Sequence, residues 1–278
     1  MLTVPATLLR QLDPVATSVT LVELRHTTQK EFMTRNLTAE TVTITGHHGD
    51  NIEAYMALPT DTASVGSIVV IHHLPGYDES TKEITRRFAA AGYAALMPNL
   101  YHRIAPGADP DDAAAAARAQ GGISDEQLVG DVEGARRYLA NLSVTNGRVA
   151  AIGFCSGGRQ AVLVGCRLPL QGIIDCYGAF VVMDSPAESS LQATSLLGEL
   201  ASLQCPMLGL FGKEDGYPSP EQTATLEAAL TEHGKDFEFH TYEDAGHAFF
   251  NVDRPSYRAE AAADGWQRII SFLERTVA

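Results

Sequence analysis

The chain has 278 residues, of which 45% are apolar and 19% charged, and its 20 Lys+Arg against 34 Asp+Glu give a formal charge of −14. This composition supports a buried core and argues against wholesale disorder. The acidic balance, without a basic run, argues against nucleic acid or an anionic membrane as partner. No segment reaches the roughly 18 consecutive apolar residues of a membrane span, and Met1 to Ala16 lacks the cationic lead and long apolar core of a signal peptide, so the cytoplasm is the expected location. Four cysteines, Cys155, Cys166, Cys176 and Cys205, show no CxxC spacing. Disulfides and structural zinc are therefore not expected.

Residues 1–37 show no clear strand and read as an N-terminal arm that either covers the surface or bridges a homodimer; the sequence does not choose. From residue 38 to 278 a single domain is expected. Thr41 to Thr45 and Asn51 to Leu58 are β-rich runs around a turn at Gly46-His47-His48-Gly49-Asp50. Gly66 to Ile71 is the nearly continuous apolar run of a strand buried on both faces. Thr81 to Ala91 has helical spacing and stops at Gly92. Tyr93 to Met97 is another strand, halted by Pro98. Asp109 to Ala119 and Ser124 to Leu139 follow as helices, each acidic at its start. Arg148 to Phe154, Gly172 to Tyr177, Met207 to Phe211 and Phe237 to Tyr242 read as strands; Arg159 to Leu168, Pro220 to His233 and Arg258 to Val277 read as helices. Strands separated by helices imply parallel pairing with right-handed crossovers. The expected fold is an open, mostly parallel α/β sheet with helices on both faces.

The sharpest local signal is Gly153-Phe154-Cys155-Ser156-Gly157-Gly158, set between an expected strand and an expected helix. Its spacing is that of a nucleophile elbow with Cys at the nucleophile position, where flanking glycines avoid clashes across a tight turn. A helix N-terminus beneath Cys155 favours the thiolate. Taken alone, the stretch equally describes a glycine-rich turn around an inert cysteine. Order along the chain favours the functional reading. Asp215 follows the Met207 to Phe211 strand and His247 follows the Phe237 to Tyr242 strand, the nucleophile–acid–base order of such sheets, at the strand ends where these folds place their sites. The backbone N–H of Ser156 is one expected oxyanion donor, and that of Leu74, after the Ile68 to Ile71 strand, the other.

From about Thr41 onward these features resemble the dienelactone hydrolase family of the α/β-hydrolase fold. Further matching stretches are Gly92-Tyr93-Ala94-Ala95, Pro98-Asn99-Leu100-Tyr101-His102-Arg103, Ala105-Pro106-Gly107 and Ala245-Gly246-His247. The resemblance implies a Cys155–His247–Asp215 triad, hydrolysis of a small-molecule lactone or ester through an acyl-thioester, no metal or organic cofactor, and Arg103 holding a substrate carboxylate. Two positions depart from the pattern. His73 stands where the family commonly has a Glu tied to thiol activation, and it is expected either to contact Cys155, to polarise the substrate, or merely to line the pocket. Asn251 stands where the family commonly supplies another Arg to the substrate carboxylate, which weakens the expected preference for a carboxylated lactone. Arg254 is a substitute cation or a surface residue. A thioesterase or acyltransferase with the same triad, a non-catalytic small-molecule-binding protein, and a redox sensor through Cys155 are the alternatives. The pairs His47-His48 and His72-His73 are not expected to share a metal, because neighbours in extended chain point to opposite faces. Cys166, Cys176 and Cys205 are expected in the core, and Trp266 in helix packing.

Overall fold

The computed structural model describes residues 36–74 and 76–278; the expected N-terminal arm, with any dimer contact through it, lies outside the described residues up to residue 35. Eight strands form one sheet in the order β1-β2-β4-β3-β5-β6-β7-β8. They are β1 (Leu37–Thr45), β2 (Asn51–Pro59), β3 (Val65–Ile71), β4 (Ala94–Pro98), β5 (Thr145–Phe154), β6 (Ile173–Cys176), β7 (Met207–Gly212) and β8 (Phe237–Tyr242). β1 and β4 each pair antiparallel with β2, and all other neighbours pair parallel, so only β2 runs against the rest. The arm was expected to extend through Leu37, but Leu37 pairs with Pro59 at the start of β1.

The helices are α1 (Glu79–Ala90), α2 (Pro110–Ala119), α3 (Asp125–Ala140), α4 (Ser156–Arg167), α5 (Pro220–Glu232) and α6 (Ala259–Thr276). Alternation along β3 separates two cores: Val69 and Ile71 join the side chains of α3, α4 and α5, whereas Ile68 and Val70 join those of α1 and α6. That two-sided burial explains why β3 is apolar throughout, since both faces of the strand are covered. Trp266 of α6 packs on Phe88 of α1 with ring centroids 4.9 Å apart, and Arg87 lies over its face. Cys166, Cys176 and Cys205 are buried and unpaired, and burial pushes all three thiols up. No helix among the described residues is long and apolar enough to cross a membrane.

Local chemistry fixes the helix starts nearest the strand ends. Asp78 caps α1 by accepting the Thr81 backbone N–H at 2.8 Å, and Ser219 forms a reciprocal capping box with Gln222 at the start of α5, each satisfying N–H groups that a first turn leaves unpaired. His47-His48-Gly49 is a 3-10 turn rather than extended chain, and the two imidazoles lie 3.8 Å apart, centroid to centroid. The expectation of opposed rings fails because His48 takes a left-handed conformation, φ 55°.

Candidate active site

Cys155 lies at the junction of β5 and α4 with φ 56° and ψ −121°, a conformation costly for a residue with a Cβ and tolerated only where its surroundings enforce it. They do so by removing side chains. A Cβ on Gly153 would fall 1.8 Å from the Gly157 carbonyl oxygen, and one on Gly157 would fall 2.5 Å from that of Ile71. The same close approach brings the chain leaving β3, which carries Leu74, against the first turn of α4. Ser156, the first residue of α4, has a backbone N–H that no earlier helical turn precedes to accept.

The loops after β7 and β8 bring Asp215 and His247 together. Asp215 is buried; its Oδ2 lies 2.9 Å from His247 Nδ1, and its Oδ1 accepts the Tyr217 backbone N–H at 2.9 Å. Burial alone would lower the basicity of His247, but its hydrogen bonds with Asp215 and Cys155 outweigh that and raise its pKa to about 10. The His247 ring also stands edge-on to Tyr177, 5.3 Å between centroids. Asp215 and His247 are therefore directly paired, and Cys155 lies close enough to His247 to act on its basicity. Among the described residues, four of the six non-glycine residues with positive φ belong to this neighbourhood: Cys155, Tyr177, Phe180 and Ala248.

A cavity of about 110 Å³ opens beside Cys155, with Ile123, Ala179, Phe180 and Leu191 as apolar walls and Ser156 and Gln160 among the polar ones. Its cation, Arg159, is neutralised, because the guanidinium holds both oxygens of Asp125 at 2.9 and 3.0 Å and donates to the Thr194 carbonyl. Tyr101 closes the cavity and is held edge-on against His72 at 4.9 Å. Burial raises the Tyr101 pKa and the nearby Cys155 raises it further, so its hydroxyl keeps its proton. His72 is buried and driven down to about 4, mainly by burial. As a neutral ring it accepts the Leu100 N–H at Nε2, 3.2 Å, and donates from Nδ1 to the His73 carbonyl, 3.0 Å, tying the loop after β3 to the loop after β4.

The expected substrate contacts are distributed differently. Arg103 does not line the cavity beside Cys155. Its Nη1 and Nη2 hold the two oxygens of Asp131 at 2.8 and 3.0 Å, Nε holds Asp50 at 2.7 Å, and Nη2 also donates to the His47 carbonyl. The guanidinium thus braces the β1–β2 turn against α3, its fork filled by the protein's own acids rather than turned to the cavity beside Cys155. His73 turns its Nε2 to Asp78 Oδ2 at 3.1 Å. Asp78 is held at about 2, the lowering by His73 and the Thr81 N–H overcoming the opposing effect of burial. Asn251 and Arg254 line a separate open groove of about 660 Å³ shared with Asp78, Glu79, Asp109, Asp111, Asp112 and Asp253. Tyr101 and Tyr177 were not anticipated from sequence as site residues. Their one signal was position: Tyr177 directly follows β6, and Tyr101 lies in the loop three residues past the end of β4.

The profile of the dienelactone hydrolase family matches residues 52–277. An Escherichia coli (strain K12) protein named "Putative carboxymethylenebutenolidase" is 32% identical over 238 residues, covering 82% of this chain and 83% of its own. A Methylorubrum extorquens protein of the same name is 33% identical over 227 residues, covering 78% and 75% respectively. Among solved structures, one titled "Putative Dienelactone Hydrolase", from Klebsiella pneumoniae, superposes with a TM-score of 0.75 at 27% identity, covering 85% of this chain and 98% of that one. The fold is that of the α/β-hydrolases.

Proposed function

Because the chain belongs to the dienelactone hydrolase family, we propose that it hydrolyses carboxylic esters or lactones, with Cys155 as nucleophile, His247 as acid and base, and Asp215 as the group that orients His247. The observation that carries this assignment is the juxtaposition of a thiol on a strained elbow with an imidazole that acts on it and whose Nδ1 lies 2.9 Å from a buried carboxylate.

His247, its basicity raised against the effect of burial chiefly by Asp215, takes the Cys155 proton, and the thiolate attacks. Sulfur adds to the substrate carbonyl, and the negative charge moves to the carbonyl oxygen, which the N–H groups of Ser156 and Leu74 hold. Collapse breaks the bond to the leaving oxygen, which takes the His247 proton, and leaves a thioester on Cys155. His247, now neutral, removes a proton from water; the hydroxide adds to the thioester carbonyl, and the acid departs as Cys155 returns to thiolate beside protonated His247. Asp215 holds the Nδ1 proton throughout and so keeps Nε2 turned to the reaction.

The cavity supports a narrower substrate class. Its volume of about 110 Å³, its apolar walls and its neutralised Arg159 suit a small, uncharged acyl group or lactone ring. Arg103 is occupied, and Asn251 stands among acids, so these positions give a carboxylated substrate no advantage. Turnover of p-nitrophenyl acetate by the wild type and by Cys155→Ala tests the assignment, with mass spectrometry of the wild-type reaction quenched during turnover. An acetyl group on Cys155 and loss of turnover in the variant are expected; undiminished turnover in Cys155→Ala overturns it.

A further inference from the structure

β6 carries a group that the proposed reaction does not use. Asp175 is fully buried, with glycines opposite on both neighbouring strands, Gly153 of β5 and Gly209 of β7. Its Oδ1 accepts the Gly178 backbone N–H at 2.7 Å, while Oδ2 is buried without a hydrogen-bond partner. The carboxyl is wedged behind the elbow: a Cβ on Gly158, in the first turn of α4, would lie 2.3 Å from Oδ1, and one on Gly178 would lie 2.5 Å from it. An unmet buried polar atom is destabilising, and an unpaired buried charge more so. A residue needed only for packing in this otherwise apolar strand would be apolar.

We infer that Asp175 is a positioning residue for the Cys155 elbow: as a neutral carboxylic acid it holds the turn after β6 in place, and its ionisation sets a negative charge behind the first turn of α4 that opposes the Cys155 thiolate. This role rests on Cys155 being the nucleophile. The turn that Asp175 grips carries Tyr177 and Phe180, both left-handed at φ 45° and 63°. Tyr177 packs on His247, and Phe180 walls the cavity, so the single bond to Gly178 N–H lies between two parts of the site. The positive end of α4 that favours an anion at Cys155 is the end the carboxyl faces from behind, and a second anion there competes for the same potential.

No cation on the surrounding elements offsets that charge. Among the described residues Asp175 has no ion-pair partner. On its own strand stands the Cys176 thiol, which is raised by burial; in the following turn is Tyr177, also raised by burial. From the elbow and α4 come Cys155 and Arg159, and the Arg159 guanidinium is committed to Asp125 and the Thr194 carbonyl. Beyond β7, Asp215 is bound to His247. Burial, opposed by the Gly178 hydrogen bond, raises the Asp175 carboxyl to about 7, well below the value of about 10 at His247. Ionisation of Asp175 therefore sets the alkaline limit of the site before His247 loses its proton.

The test compares the full-length wild type with Asp175→Asn, which keeps an oxygen for Gly178 N–H and cannot ionise. The rate of Cys155 alkylation by iodoacetamide, with Cys155→Ala as blank, and kcat/KM for p-nitrophenyl acetate are followed across the pH range spanning both groups. In the wild type both are expected to fall by up to about tenfold above about pH 7, the limit set by one pKa unit on the thiolate; in Asp175→Asn kcat/KM falls only at the His247 limit and the alkylation rate does not fall, because loss of the His247 proton leaves Cys155 a thiolate. The same fall at the same pH in both proteins overturns the role. Should the variant not fold, infrared difference spectra of the wild type replace it: a carboxylic-acid carbonyl band lost in step with alkylation rate supports the role, and no such band at low pH overturns it. Alkylation and infrared readouts do not require turnover. They therefore separate failure of the Asp175 role from failure of Cys155 as nucleophile, which undiminished turnover in Cys155→Ala reports.

Discussion

Replacing Arg103 by Met separates a brace from a substrate anchor. The substitution removes the fork that holds both oxygens of Asp131, a side chain with no exposure, and leaves that carboxylate with only the His47 backbone N–H at 2.8 Å. Breaking a buried pair by removing one partner costs about 3–5 kcal/mol. Arg103 is 23% exposed, and the Asp50 arm of its fork faces solvent, so the lower figure of about 3 kcal/mol applies after screening. For a domain of this size each kcal/mol moves Tm by about 2–4 °C, giving an expected loss of about 6–12 °C. The assays are thermal unfolding by circular dichroism and kcat/KM for two esters matched in size, one neutral and one carboxylated. Selectivity between the esters is expected to stay unchanged in Arg103→Met, and the double variant Arg103→Met/Asp131→Leu is expected to recover most of the lost stability because no uncompensated charge remains buried. An unchanged Tm together with a selective rise in KM for the carboxylated ester would refute the brace.

Asp215→Asn is expected to lower kcat by about 10³–10⁴-fold with little change in KM, since the wrong imidazole tautomer would be favoured; stopped-flow and steady-state kinetics check this. Asp78→Ala is expected to cost about 1 kcal/mol through loss of the α1 cap. Because the folded Asp78 is lowered to about 2 from an ordinary 3.8, its contribution is complete above pH 3.8 and disappears as pH falls through about 2, so urea midpoints of wild type and variant should converge in acid. The His247 contribution has the opposite sign: with its folded value raised to about 10 from 6.5, it stabilises fully below pH 6.5 and is lost through about pH 10, a slope that His247→Asn should remove from the pH dependence of unfolding. His73→Ala and His73→Gln divide a positioning role from proton transfer. If His73 holds the β3–α1 loop through Asp78, Gln restores kcat and the pH profile is unmoved; if it exchanges a proton with substrate, neither variant recovers and the profile shifts.

The strands and the six helices of the described residues were legible from local patterning, and the pairing of Asp215 with His247 from their order on successive strand ends. Apolar runs bounded by glycine or proline mark strands buried on both faces, and the elbow glycines carry their reason in the 1.8 and 2.5 Å approaches a Cβ would make. The pairing of Arg103 with Asp131 was not legible because Asp131 lies 28 residues away on α3, and no local pattern joins a loop arginine to a helix acid one crossover later. The relative placement of the His47 and His48 rings was not legible, because extended-chain alternation does not apply once His48 turns left-handed. The Asp78 partner of His73 is only five residues on, but it reads locally as a helix cap, which it also is. Asp175 left a usable signal: a lone acid within Ile173-Ile174-Asp175-Cys176, inside a strand whose pattern demands burial on both faces.

These cases share a physical cause that bears on specificity. A net charge of −14 suggests a surface hostile to anions, yet the charges that matter near the site are decided pair by pair. Arg159 and Arg103 stand close to the strand ends as cations but are each closed by a bidentate acid. Asn251 and Arg254 open onto a groove where acids outnumber cations. Counting arginines in the sequence therefore overstates the positive potential available to a substrate. On the proposed reading, discrimination among esters then falls to the shape of the small cavity beside Cys155 and to the neutral side chains that line it, Tyr101 and Gln160 among them.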